Sequence, residues 1–302
     1  MSSTINHILK EIVDKIKPEK EDSDKIDSKL KDFLAVLNKN LKKKNVNAGV
    51  FVGGSQAKGT MIKKEYYDID VFVRFDKKHR DRDISKTLKQ ALVGVKNVQE
   101  IHGSRNYYRV RANGSVFIEV IPVLKVTNPK DAENITDLSY FHVTYINKRI
   151  KDKKILDEIR LAKAFCHANN VYGAESYISG FSGYGLELLV HHYKTFFNFI
   201  KAMTKFNSNN KEKLIIDIEK HYKNKKDVLL DVNSAKLLSP IILIDPTYRQ
   251  RNVLAALSEE TFKQFQEACR QFIKTPSAKA FEIKKLDLEE AIKSKGIKIE
   301  LK

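Results

Sequence analysis

Cysteine is nearly absent. Cys166 and Cys269 are the only two in 302 residues, and they match neither a CxxC pair nor a zinc-ligand spacing. That excludes a disulfide scaffold and leaves two reduced thiols, as in a reducing compartment. Long apolar runs are missing too. No stretch approaches the roughly 18 apolar residues of a membrane span, and the N-terminal MSSTINHILKEIVDKIKPEKEDSDK carries charges where a secretory leader needs an apolar centre. The expected compartment is the cytoplasm, with no membrane partner. Twelve glycines and six prolines form no tract and no linker, and 42% hydrophobic residues exclude global disorder. Acid is the scarce sign: 38 Asp and Glu face 56 Lys and Arg, a net charge of +18. A polyanionic partner fits that balance, but so does a solvated lysine-rich surface, and composition leaves both open.

What is present divides by period. Ile5, Ile8, Leu9, Ile12, Val13 and Ile16 follow helical spacing up to Pro18, and Ile26, Leu30, Phe33, Leu34 and Leu37 repeat it. From Val46 to about Val126 the pattern turns to strands. VNAGVFVGG, DIDVFVRF, VQEIHG, NYYRVRA and SVFIEVIPVLKV read as strands, ISKTLKQALVGV as a helix, and Asn113-Gly114 as a hairpin turn. From about Asp137 the period is helical again, in ITDLSYFHVTYINKRI, LDEIRLAKAFCHANN, GYGLELLVHHYKTFFNFIKAM and LSEETFKQFQEACRQFIK. Within SPIILIDPTYRQRN a short apolar strand leads into a loop, and the tail FEIKKLDLEEAIKSKGIKIELK reads as strand, helix, strand. The expectation is an α+β chain: a mixed-sheet domain with N-terminal helices over 1–135, a mainly helical domain over 136–275, and the start of a third unit over 276–302.

Two stretches carry chemistry. In GGSQAKGTMIKKEYYDIDVFVRF, Asp68 and Asp70 alternate with Ile69 and Val71, so both carboxylates leave the same face of one strand. Burying charge is costly without compensation, and a hard divalent cation such as Mg²⁺ between the two removes the repulsion. Glu119, a lone charge in VFIEVI, completes a three-carboxylate cluster if its strand neighbours the first. The turn Gly53-Gly54-Ser55 lets backbone approach a phosphate closely. A Walker A reading fails, since no Lys-Ser/Thr follows Gly59. A phosphate turn beside Asp-x-Asp points to metal-assisted, in-line nucleotidyl transfer.

This order of Gly-Gly-Ser and Asp-Ile-Asp resembles the signature of the polymerase-β-like nucleotidyltransferases. RLAKAFCHANNVYGAESYISGFSGYGLELLVHHY, DPTYRQRNVLAAL and FQEACRQFIKTPS are similar to the neck of the archaeal, class I CCA-adding tRNA nucleotidyltransferases. The resemblance covers about residues 45–280. It implies a head domain followed by a helical neck, and transfer of CMP and AMP from CTP and ATP to the 3′ end of tRNA. By the same resemblance, Asp68, Asp70 and Glu119 hold two Mg²⁺ ions and are catalytic, with Glu119 standing where the family usually has Asp. Gly54 and Ser55 bind the triphosphate. His142, Lys163 and Tyr172 contact the nucleotide's phosphates and sugar, while Arg251 with Asn252 reads the base edge. Without that match, Lys163 reads as a solvated helix charge, Tyr184 and Phe181 as core, and Arg251 as a surface charge. Family members continue into body and tail domains. The chain reads as a short member lacking most of both, with the tail contacts supplied by a second copy or a partner protein. Two other readings keep the fold: transfer to a different acceptor (another RNA, a protein or a nucleotide), and a catalytically weak RNA-binding homologue.

Overall fold

The computed structural model describes residues 2–79, 83–206 and 213–283. Helices α1 (Ser2–Ile16) and α2 (Lys20–Lys43) open the chain. In α2, Ile26, Leu30, Phe33, Leu37 and Leu41 recur every three or four positions and are buried, while Glu21 and Asp22 at its start and Lys42 and Lys43 at its end suit the helix dipole. Then come β1 (Ala48–Val52), the single turn α3 (Gly54–Ala57), β2 (Tyr67–Phe75), α4 (Ile84–Ala91), β3 (Val98–Ile101), β4 (Tyr107–Arg111) and β5 (Val116–Leu124). The five strands form one sheet in the order β1-β2-β5-β4-β3, in which only β2 and β5 run parallel. The Asn113-Gly114 hairpin joins β4 to β5, its Asn113 Oδ1 accepting from the backbone of Ser115 and Val116 at 2.9 and 2.7 Å.

Period-2 alternation sorts the two faces of the sheet. Ile69, Val71, Val73 and Phe75 of β2 and Ile118 and Val120 of β5 are buried in one core with the apolar stripes of α2 and α4. The opposite face carries Asp68, Asp70 and Glu119. It meets the second half of the chain: α5 (Ser139–Arg149), α6 (Lys153–Ala168), α7 (Gly183–Tyr193), α8 (Phe196–Lys205) and α10 (Glu259–Lys274), with the short α9 (Lys225–Asp231) beside a small sheet. The helical core is aromatic: Phe165, Phe196, Phe265, Phe272 and Phe281 pack ring against ring.

The structure differs from the sequence expectation at three places, and a fourth expectation falls largely outside the described residues. Ile5, Leu9 and Ile12 of α1 lie in the helical core rather than with the sheet domain. The stretch GYGLELLVHHYKTFFNFIKAM is two helices, broken where Lys194 takes φ 71° and Thr195 caps α8 through Asn198 N. The expected loop TYRQRN is instead strand β8 (Tyr248–Asn252), paired antiparallel with β7 (Ile241–Asp245). With β6 (Leu214–Ile216) these make a three-stranded sheet. Finally, the expected strand-helix-strand of the tail lies almost wholly outside the described residues; what is seen of 276–283 is a single 3₁₀ turn, Ala278–Phe281, docked on the helical core.

Candidate active site

Parallel pairing of β2 and β5 sets Asp70 directly beside Glu119, and antiparallel pairing of β4 and β5 sets Arg109 on the other side of Glu119. The glycine turn closes over this row. Gly53 N donates to the Asp70 carbonyl at 2.8 Å. Gly54 sits at φ +57°, and a Cβ there would lie 1.7 Å from Asp70 Oδ2. Only glycine lets the turn backbone lie against that carboxylate.

Burial drives the Asp70 carboxyl up to about 6, with Asp68 adding to the shift and Lys58 and Lys163 opposing it. Burial likewise takes Glu119 up to about 7, helped by Asp70 and Asp68 and opposed by Arg109. These are the charges a divalent cation would relieve, and Asp68 and Asp70 present the oxygen donors a hard cation prefers. The third carboxylate is a different matter. Arg109 Nη2 is 2.6 Å from Asp68 Oδ1 and its Nε 3.5 Å from Glu119 Oε1. The guanidinium thus pairs with both Asp68 and Glu119, while Glu119 lies beside Asp70 in the sheet. Among the described residues no three such side chains close into a metal-ready cluster. The sheet brings Asp68, Asp70 and Glu119 to one face, and the donor set fits the aspartate pair.

Beneath the turn lies a buried charge cluster. The Glu187 carboxylate of α7 accepts from Lys58 Nζ at 2.6 Å, Lys163 Nζ at 2.8 Å and Thr60 Oγ1 at 2.8 Å. Lys163 also donates to Thr60 Oγ1 at 2.8 Å. Burial opposes ionisation of Glu187, but Lys163 and Lys58 pull its carboxyl down to about 2. One carboxylate shared by two ammonium groups leaves an uncompensated positive charge. Burial therefore lowers Lys163 to about 8, with Glu187 opposing and Lys58 adding to the fall. Arg160 of α6 fixes the loop above through the carbonyls of Gly59 and Met61 at 2.6 and 3.0 Å.

The remaining expected residues divide. His142 stacks on Tyr184, ring centroids 4.1 Å apart, and its Nε2 is 3.1 Å from Asp245 Oδ2. Arg251 Nη1 donates to the same oxygen at 2.6 Å, and Tyr184 OH to Oδ1 at 3.2 Å. Burial lowers the His142 pKa against the pull of Asp245. Burial resists ionisation of Asp245, yet His142 and Arg251 hold its carboxyl far below the usual range. Tyr172 stacks on His167 at 3.8 Å, and both line a cleft with Ser55, Asp68 and Lys163. Asn252 stands apart. Its Oδ1 accepts from Leu243 N and Leu254 N, both at 3.0 Å, and its Nδ2 donates to the Lys236 carbonyl at 2.9 Å. Its amide is committed to backbone, so the base-reading role implied by the resemblance does not fit it.

Sequence reasoning missed Lys58, Thr60, Tyr184, Glu187, Asp245 and Arg109. For Glu187 and Asp245 the signal was available: each is a lone carboxylate in an apolar run, LELLV and IILID, as Glu119 is in VFIEVI.

Residues 157–282 match the family described as tRNA nucleotidyltransferase, second domain, and residues 3–154 that described as Second Messenger Oligonucleotide or Dinucleotide Synthetase domain. The chain is 42% identical to the CCA-adding enzyme of Nanoarchaeum equitans over 247 residues, 81% of this chain and 59% of that protein. It is 31% identical to the CCA-adding enzyme of Methanocaldococcus jannaschii over 301 residues, 97% of this chain and 65% of that protein. It thus spans less than two thirds of the length of these curated relatives. Among solved structures it is similar in fold to a cytoplasmic RNA terminal U-transferase, with TM-score 0.70 and 14% identity over 94% of this chain and 100% of that one. A poly(U) polymerase bound to magnesium and 3′-dATP gives TM-score 0.69 and 14% identity over 91% and 97%. Among the described residues no helix is long and apolar enough to cross a membrane.

Proposed function

The chain belongs to the archaeal-type CCA-adding tRNA nucleotidyltransferases, and from that premise we propose that it adds CMP and AMP, drawn from CTP and ATP, to the 3′ end of tRNA with release of pyrophosphate. The observation that carries the chemistry is the row Asp68, Asp70 and Glu119 on one sheet face, pressed against the Gly54 backbone and flanked by a buried, net-positive lysine pair.

Asp68 and Asp70 would hold the divalent cations, proposed as two Mg²⁺ ions. When bound, these supply acidification of the attacking hydroxyl and charge neutralisation at the leaving pyrophosphate. The chain's own groups do the rest. Glu119, brought to about 7 by burial and its acidic neighbours, is poised to accept the 3′-hydroxyl proton near neutral pH. Gly54 and Ser55 place backbone and hydroxyl donors where the triphosphate meets Asp70. Lys58 and Lys163 share Glu187, so their surplus charge is available to the phosphates, and the bond to Thr60 fixes Lys163 beneath the turn. Tyr172 walls the cleft against the sugar. His142, Tyr184 and Arg251 are locked in one network by Asp245 and present an aromatic face and a guanidinium edge to the base. The two buried, unpaired cysteines fit a cytoplasmic, reducing compartment.

A second reading has a specific observation behind it. The match of residues 3–154 to the second-messenger synthetase domain allows a nucleotide as acceptor. Incubation with ATP, CTP and Mg²⁺, with and without tRNA lacking its CCA end, separates the two. The proposal expects tRNA lengthened by up to three nucleotides and no RNA-independent product. A dinucleotide or cyclic product in the RNA-free reaction, with tRNA unchanged, overturns it.

A further inference from the structure

The sheet face that carries the carboxylates continues past Asp68 into an opening that the nucleotide site does not use. Phe117 of β5 is the register partner of Asp68 on one side and of Arg111 on the other. Tyr66, 49% exposed just before β2, sits with its ring centroid 6.0 Å from that of Phe117. The guanidinium groups of Arg109 and Arg111 lie 5.0 and 5.8 Å from the Phe117 centroid. Arg109 Nη2 is 2.6 Å from Asp68 Oδ1 and its Nε 3.5 Å from Glu119 Oε1, so the guanidinium joins the opening to the carboxylate row. Asn97 and Gln99 extend the opening; among the described residues no carboxylate lines it, and Asp68 and Glu119 border it through Arg109.

Two aromatic faces flanked by two guanidinium groups form the arrangement that binds single-stranded nucleic acid. The rings stack on bases and the cations follow the phosphates. A protein partner would need a broad apolar surface, which this opening lacks. A mononucleotide triphosphate would need the concentrated charge found instead at Lys58 and Lys163. The opening also runs straight to the catalytic row, because Arg109 bridges the two. We infer that this face binds the single-stranded 3′ end of the acceptor, with a base on Phe117 and neighbouring phosphates on Arg111 and Arg109. Arg109 is then a positioning residue, tying the strand's path to Asp68. The inference deepens the proposed function and rests on it for the identity of the strand.

Strand binding can be measured apart from catalysis. Fluorescence anisotropy of a labelled 12-nucleotide single-stranded RNA, in EDTA and without nucleotide, is followed against salt for the full chain and two variants. R111Q, at an exposed position, is expected to lower the slope of log affinity against log salt by about 0.7, the share of one phosphate on a single strand. F117L keeps an apolar side chain in place but loses the stacking ring; it is expected to weaken binding roughly tenfold with the slope unchanged. Parental affinity and slope in both variants overturn the inference. So does a blunt duplex of equal length that binds as tightly as the single strand and weakens equally in F117L. If strand binding responds as expected while tRNA is never extended, the proposed reaction fails and the face stands. If tRNA is extended while both variants bind as the parent does, the face alone fails.

Discussion

Asp70 is held in the folded state at a cost, and removing its charge should reveal it. In an unfolded chain its carboxyl ionises near 3.8, but burial carries it to about 6 in the fold, with Lys58 opposing and Asp68 adding. Keeping it ionised above pH 7 therefore costs the folded protein up to about 3 kcal/mol, an upper figure because the carboxylate still meets water in the cleft. The sign follows directly. With the folded pKa above the unfolded one, the contribution of Asp70 is fully present below about pH 4 and is lost as pH rises through 6. D70N carries no charge at either pH. Urea denaturation in EDTA should show D70N more stable than the parent by about 1 to 3 kcal/mol at pH 8, with most of that difference gone at pH 4.5. Mg²⁺ should stabilise the parent at pH 8 and largely fail to stabilise D70N, because a ligand is missing. A D70N protein less stable than the parent at pH 8 in EDTA would refute the reasoning. It would mean that Lys58 and Lys163 already compensate the charge without a cation.

Three further outcomes follow from the buried polar groups. E187Q leaves Lys58 and Lys163 without their carboxylate, at side chains 8% and 4% exposed, so it should lower the unfolding free energy by about 3 to 5 kcal/mol; a loss under 1 kcal/mol in thermal or urea unfolding would contradict the network. Lys163, lowered to about 8 chiefly by burial, should lose its proton above that pH. Metal-free CTP affinity by calorimetry should then fall toward tenfold per pH unit above 8, and K163M should lack that limb. N252A strips partners from Leu243 N, Leu254 N and the Lys236 carbonyl. It should cost about 2 to 4 kcal/mol of stability while the folded protein keeps the parental Kd for CTP, whereas R251Q should weaken CTP binding.

The carboxylate row was legible because a strand's two-residue period fixes which face a lone charge takes: Asp68, Asp70 and Glu119 all fall in alternating apolar runs. The same reasoning missed Glu187, since GYGLELLV is apolar on every side of its helix and assigns no face. Lys58 and Thr60 join Glu187 across well over a hundred residues, a distance no local pattern spans. Arg251 and Asn252 show the cost of reading a strand as a loop. On β8 adjacent side chains point to opposite faces, so Arg251 reaches Asp245 while Asn252 is enclosed by backbone. The stripe on α1 announced a buried face without naming the core it joins. Arg109 sits between two acids that the sequence marked, but only the β4–β5 register puts it there.

The central claim is that the Asp68–Asp70 face transfers nucleotides to the 3′ end of tRNA. The most direct measurement is incorporation of radiolabelled CMP, then AMP, into tRNA lacking its terminal CCA, with Mg²⁺, beside the D68A/D70A double variant. The account predicts label in tRNA with the parent and a loss of at least a thousandfold with the variant. No label in tRNA, or equal labelling by the double variant, would contradict it.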